Sequence, residues 1–140
     1  MPALDDDECR ARAAAAPVAR LATLRADGTP RLVPVTFVLV DGLVWIAVDD
    51  VKPKSGRRLA RLADVDRDPR AALLVDHYDD DWDRLWWVRI DGAADVRDAA
   101  DCAPAVDALV GKYPPYRRSR PPGPVLVLTP GAWAGWTASR

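Results

Sequence analysis

The hydrophobic pattern of the chain changes period near residue 18. Before that point, "LDDDECRARAAAAP" sets acids in a first turn and arginines behind them, which predicts a short helix. Asp5 or Asp6 caps it and Pro17 ends it. After it, Val18, Arg20, Ala22 and Leu24 alternate with Ala19, Leu21 and Thr23, and "ADGTP" supplies a turn in which Gly28 can take a positive φ. Together these predict a hairpin. The second strand, residues 31–40, is apolar on both faces: Val33, Val35, Phe37 and Leu39 on one, Leu32, Val38 and Val40 on the other. Burial on two sides suits a barrel wall or a strand covered by a helix. Pro34 has no N–H for a ladder, so it marks an edge, a bulge or a mouth. "VDG" at 40–42 is another tight turn, and "LVWIAVD" is a third strand.

Residues 55–67 then read as a helix, with Ser55 as N-cap, Leu59 and Leu62 toward the core, and "RDP" at 67–69 as its stop. "PRAALLVDHY" is a fourth strand, "DDDWD" at 79–83 a polar loop, and "RLWWVRIDGAADVR" a fifth strand bent at Gly92. Residues 98–112 predict a helix capped by Asp98, with Ala100, Val106, Leu109 and Val110 as its apolar side. "KYPPYRRSRPPGP" reads as an irregular loop, and "VLVLTP" and "AWAGWTA" as closing strands. No repeat and no long linker breaks this order, so residues 1–140 are expected to form a single domain. About seven strands joined by short turns, with three helices, predict a mainly β, α+β fold: a small antiparallel barrel with accessory helices.

Composition narrows the function classes. Of 140 residues 49% are apolar, which argues against disorder, and the net charge of -1 argues against general nucleic-acid binding. Cys9 and Cys102 belong to no CxxC pair or Cys/His cluster, so they are expected to be reduced thiols, with no metal site. No apolar run approaches the ~18–20 residues that span a bilayer. The acidic start, "MPALDDDE", is unlike a secretory or transit peptide, so a cytoplasmic protein that avoids membranes is expected.

Familiar catalytic machinery is missing from the sequence. His77 is the only histidine and has no nucleophile motif beside it, so it reads as a structural or surface residue. "DHYDDDWD" lacks the glycine and alternate-ligand spacing of a calcium loop. No glycine-rich nucleotide motif and no nucleophile elbow is present. Two oddities remain. "KPKSGRR" at 52–58, followed by Arg61, gathers Lys52, Lys54, Arg57, Arg58 and Arg61 just after the acids Asp49 and Asp50. Such a cluster is either a solvated helix face or an anion site. Apart from Asp50, four residues before Lys54, the cations have no acids at i±4, they begin where a helix N-terminus is predicted, and Ser55 and Gly56 allow close approach; all three favour a phosphate-bearing ligand. The second oddity is six tryptophans. Trp86 and Trp87 are adjacent, so in a strand they face opposite sides, and one of them needs a second surface: a dimer interface, or a wall for a flat aromatic ligand.

The order hairpin, two-sided strand, "DGLVWIAVD", basic loop, "RDPRAALLV" and "WWVRIDGAADV" resembles the pyridoxamine-phosphate-oxidase-like split β-barrel flavoproteins, an FMN-binding-like fold. "KPKSGRRLARL", "LLVDHYDDDWDRLWWVRIDGAA" and "KYPPY" look most like the small branch that uses the deazaflavin coenzyme F420. The resemblance implies a homodimer with two cofactor sites at its interface. It puts Pro34, Val35, Thr36, Ile46 and Ala47 beside the ring through backbone contacts. It gives the phosphate to Lys52, Lys54 and Arg58, with Ser55 and Arg57 nearby, and has Trp87 reach the ring from the partner chain. The family's FMN-using oxidases carry a polar residue at that position and basic C-terminal substrate residues. Trp87 and "WAGWTASR" replace these here and speak against pyridoxamine phosphate as substrate. The clustered cations, with Arg117, Arg118 and Arg120 as a second patch, suit the longer, more anionic F420 better than FMN. The implied function is an F420-dependent oxidoreductase acting on a small unsaturated molecule. The alternatives are an FMN enzyme of the same fold and a non-catalytic carrier of F420 or haem.

Overall fold

The computed structural model describes residues 3–48 and 59–139. Helix α1 (Asp6–Ala15) begins where the acids predict: Asp5 is its N-cap, and the Asp5 carboxylate accepts from Glu8 N–H at 2.8 Å. The strands are β1 (Ala19–Leu24), β2 (Pro30–Val35), β3 (Phe37–Val40), β4 (Leu43–Ile46), β5 (Arg70–His77), β6 (Trp86–Arg97) and β7 (Val125–Thr137). They form one seven-stranded sheet in the order β2-β1-β5-β6-β7-β4-β3, with every pairing antiparallel. The two ends of that order, β2 and β3, are consecutive in the chain and separated only by Thr36. A sheet whose edges are tied by one residue has to curl, and the result is an antiparallel split β-barrel with accessory helices.

This junction corrects the expectation of one strand over 31–40. The apolar run is continuous, but its first half pairs with β1 and its second half with β4. The corner at Thr36 lets one stretch of sequence serve both edges. Two-sided burial holds in β3, where Phe37 and Leu39 pack into the barrel and Val38 and Val40 pack against the outer cluster, but not at Leu32, which is 68% exposed. It also falls on the first half of β7, where Val125, Leu126, Val127 and Leu128 are all buried. Leu126 and Leu128 join Leu21, Phe37, Ile46, Leu73 and Ile90 inside the barrel. Val125 and Val127 pack outward with Trp45 under Ala105 and Val106 of α3 (Ala103–Lys112).

The turn between β3 and β4 holds both central residues at positive φ, Asp41 at 55° and Gly42 at 76°, the tight hairpin geometry that an Asp-Gly pair favours. Gly92 marks a bulge as expected: the β6–β7 register shifts there, and a Cβ at Gly92 would collide with the Thr129 carbonyl. That bulge lets β7 run through Pro130 and Gly131 as one strand, where two had been expected.

The helices are shorter than the pattern suggested. Helix α2 runs Ala60–Arg67 with Leu59 at its N-cap; Ser55, read from the sequence as the cap, lies outside the described residues. The predicted helix over 98–112 divides into a 3-10 turn, Ala99–Asp101, and α3. Pro104 has no N–H to continue a helix from the preceding turn, so the helix restarts with Pro104 in its first turn. Ala100 is consequently exposed, and Ala105 takes its place in the core. The segment read as an irregular loop contains α4 (Pro114–Arg118), a short helix with Tyr116 buried. Among the described residues no helix is long and apolar enough to cross a membrane.

Candidate functional site

The corner at Thr36 gathers the residues expected to line a ring. Ala47 N–H donates to Thr36 O at 3.4 Å, and Phe37 stands opposite Ile46 in the β3–β4 ladder. Pro34, Val35, Thr36, Ile46 and Ala47 therefore meet at one place. Val35, Ile46 and Ala47 turn their side chains into the core, while Pro34 stays exposed. What this corner offers a ligand is backbone and a proline rim rather than charged groups. Lys52, Lys54, Ser55, Arg57 and Arg58 lie outside the described residues. In the sequence they follow β4 within a dozen residues.

Trp87 lies on a different part of the sheet. Val88 and Ile90 point into the barrel, so Trp87 and Arg89 point out. Trp86 packs against the core beneath the Arg12 guanidinium, 5.4 Å from its ring centre. The two tryptophans divide between inside and outside as their adjacency required. Trp87 pairs across the sheet with Trp136, and the Arg89 guanidinium lies 5.7 Å from its ring. Pro34, Arg20, Leu74 and Arg89 form one row across β2, β1, β5 and β6. Within one chain, then, Trp87 stands three strands from the corner, roughly 14 Å at the usual strand spacing.

The outer face between them holds an open cavity of about 590 Å³, lined by Leu32, Leu74, Trp87 and Trp136 among others. The charges on it are matched on the same chain: Arg20 with Asp76 at 3.0 Å and Arg89 with Asp91 at 3.1 Å. The face is therefore broad, apolar and nearly neutral.

A set of polar residues, three of them from the "KYPPY" segment and outside the expected site residues, stands behind the corner. The Tyr116 hydroxyl and Thr36 Oγ1 are 2.6 Å apart. The Tyr113 hydroxyl accepts from Phe37 N–H at 3.0 Å, and its own proton is shared between Pro17 O at 2.9 Å and Phe37 O at 3.0 Å. Lys112 Nζ donates to Phe37 O at 2.9 Å and sits 4.0 Å from the centre of the Phe37 ring. Desolvation lowers the Lys112 pKa to about 8, and burial raises that of Tyr113 despite the hydrogen bond to Phe37. The sequence held one signal, a Lys-Tyr pair ending an apolar helix face; the partners come from residues about 75 positions away.

The remaining candidates are structural. His77 is partly exposed, stacked on Trp86 and 3.5 Å from Asp79. Among the described residues no group of three His, Cys, Asp or Glu side chains could hold a metal. Cys9 and Cys102 are free and buried, and burial raises both thiol pKa values. Arg117 donates to Val110 O and Gly111 O, and Arg120 pairs with Asp107 at 2.7 Å. The expected second basic patch is thus largely committed to the protein itself.

Comparison with known proteins gives consistent findings. The family model described as pyridoxamine 5'-phosphate oxidase matches residues 5–137. A conserved hypothetical protein from Mycobacterium tuberculosis is similar in structure at 17% identity and TM-score 0.77, over 96% of this chain and 86% of that one. A FAD-binding protein from Mesorhizobium loti is similar at 19% identity and TM-score 0.71, over 96% and 93%. A haem-binding protein from Mycobacterium smegmatis is similar at 22% identity and TM-score 0.69, over 93% of this chain and 56% of that one. At these identities the likenesses speak for the fold. No curated protein matches the chain.

Proposed function

The chain belongs to the pyridoxamine 5'-phosphate oxidase family, and on that premise we propose that it is an F420-dependent oxidoreductase passing a hydride between deazaflavin and a small unsaturated organic substrate. The observation that carries this reading is the Thr36 corner, where Pro34, Val35 and Thr36 meet Ile46 and Ala47. A flat heterocycle edged with donors and acceptors needs backbone groups at a fixed rim, and the corner supplies them without a competing charged side chain. The basic segment follows β4 directly, so Lys52, Lys54, Ser55, Arg57 and Arg58 would hold the phosphate. Five cations including Arg61 favour a long anionic cofactor over a compact one, and this support rests on that segment alone.

The working unit is a homodimer. The outer face carries Leu32 at 68% exposure and Leu74 at 39%, beside Trp87 and Trp136. An apolar face of this kind, neutral within itself, favours a second copy of the chain. The three-strand gap between Trp87 and the corner of its own chain supports Trp87 serving the partner's ring. A reduced deazaflavin held there would supply hydride from its ring carbon. The chain's part is to hold two flat molecules in contact, and the proton that completes the reduction would come from solvent, so the candidate set needs no acid–base group.

An FMN enzyme of the same fold is the second reading, favoured by the likeness to FAD-binding proteins. Titration of the purified chain with F420 and FMN separates the two. F420 is expected to bind at micromolar concentration, FMN more weakly, and Lys54→Ala to weaken F420 about tenfold, the loss of one charge-assisted contact. Binding of neither cofactor below millimolar concentration overturns the reading. A yellow protein that retains FMN and ignores F420 replaces it with the second.

A further inference from the structure

Strand β3 is an edge of the sheet, and the backbone of Phe37 on its free side would ordinarily face water or another strand. Instead the Phe37 N–H and C=O are both taken up by side chains from the end of α3 and the start of α4. The Tyr113 hydroxyl stands in for the missing strand: it accepts from Phe37 N–H at 3.0 Å and lies 3.0 Å from Phe37 O. Lys112 Nζ adds a donor to the same carbonyl at 2.9 Å. One residue earlier, Tyr116 engages the Thr36 hydroxyl at 2.6 Å, while the Thr36 carbonyl accepts from Ala47. Tyr113 ties this arrangement to Pro17 at the start of the barrel as well. Keeping a half-buried lysine beside an edge strand, with a carbonyl and two aromatic rings as its partners among the described residues, is costly, since desolvation opposes its charge. Packing alone would be served as well by a methionine.

We propose that Lys112, Tyr113 and Tyr116 are positioning residues for the cofactor ring: they fix the peptide path through Thr36 and Phe37 and so set the rim that Pro34, Val35 and Thr36 present. This rests on the functional reading above, in which that rim meets the ring. Lys112 and Tyr113 act from the side of β3 away from β4, Tyr116 packs in one cluster with Ala47, and none of the three need touch the ligand. The junction they hold is the one place where the sheet changes edges, so a small rotation there moves the rim relative to Ile46 and Ala47.

Tyr116→Phe and Tyr113→Phe each remove a hydroxyl and keep the ring, and Lys112→Met keeps the stem. In the ligand-free protein, amide exchange at Phe37 is expected to quicken at least tenfold in Tyr113→Phe, with the barrel amide of Leu73 unchanged. Cofactor affinity, measured with F420 and with FMN, is expected to fall about tenfold in Tyr116→Phe and Lys112→Met, with a melting temperature close to wild type in the first and no lower than wild type in the second. The absorption band of the bound ring should shift as its rim moves, which a loss of stability alone would not produce. Wild-type affinity and band position in Tyr116→Phe and Lys112→Met overturn the inference, as does unchanged exchange at Phe37 in Tyr113→Phe. If the wild-type chain binds while the variants bind equally well, only this inference falls. If the wild-type chain binds neither cofactor, the functional reading falls and takes this one with it.

Discussion

Lys112 is the residue whose environment departs furthest from its sequence appearance. Written in a row it is an ordinary helix-end cation; folded, it is half-buried against Phe37 with a pKa lowered to about 8 from 10.5. The sign of its effect follows. Between about pH 8 and 10.5 the unfolded chain holds a proton here that the folded chain has released, so this residue makes stability rise with pH across that window. Below it both states are charged and the full desolvation cost is present. Cys9, Cys102 and Tyr113 act the other way above about pH 9, because burial raises their pKa values. The comparison to make is therefore wild type against Lys112→Met. The melting-temperature gain of the variant should be largest below pH 8 and shrink as pH approaches 10.

At the scale of elements, α2 meets the first hairpin at a buried carboxylate, and Arg67 adds a hydrogen bond to Leu24 O at 2.9 Å. Asp64 is 2% exposed; its oxygens accept from Thr23 Oγ1 at 2.8 Å, Arg31 Nε at 2.6 Å and Arg67 at 3.1 Å. Burial works to raise its pKa, but the hydrogen bonds from Arg31, Thr23 and Arg67 outweigh it and hold the carboxyl below its ordinary range. Asp64→Ala leaves a three-quarters-buried Arg31 and a buried Thr23 without that partner. It is expected to cost about 3 kcal/mol, read as a lower denaturant midpoint. An acid flanked by Leu62 and Val65 on an apolar helix face was a legible anomaly, but its partners sit 33 and 41 residues earlier. The same limit runs through the fold. Local chemistry announced the α1 cap, the Asp41-Gly42 turn and the Gly92 bend. Pro34 hinted at an edge two residues before residues 31–40 divide, but which strand each half joins carried no local mark, because either half of an apolar run can pair with any strand, and only tertiary pairing decides. The ring-lining residues came from family likeness, which also marked "KYPPY", but the partners of Tyr113 and Lys112 became visible only in three dimensions.

For the whole molecule, the question is what covers the outer sheet face. Leu32 is the most exposed aliphatic side chain on it and pairs with Ala22 far from the core. Leu32→Asp puts a charge into the proposed interface while leaving the barrel interior untouched. Sedimentation is expected to shift toward monomer with no change in the melting of the isolated subunit. A wild-type chain that sediments as a monomer at micromolar concentration would remove the dimer from the proposal. The charge matching of Arg20 with Asp76 and Arg89 with Asp91 implies that this association responds only weakly to salt.

The curled sheet resembles a bracelet whose clasp is a single amino acid. Its last rungs on either side, those of β2 and β3, share no hydrogen-bonded pairing with each other. Severing the chain between Val35 and Thr36 would leave every rung of the ladder intact. The hoop would then be held across that gap by the Tyr113 hydroxyl, which bonds Phe37 on one side and Pro17 on the other, and by the packed interior.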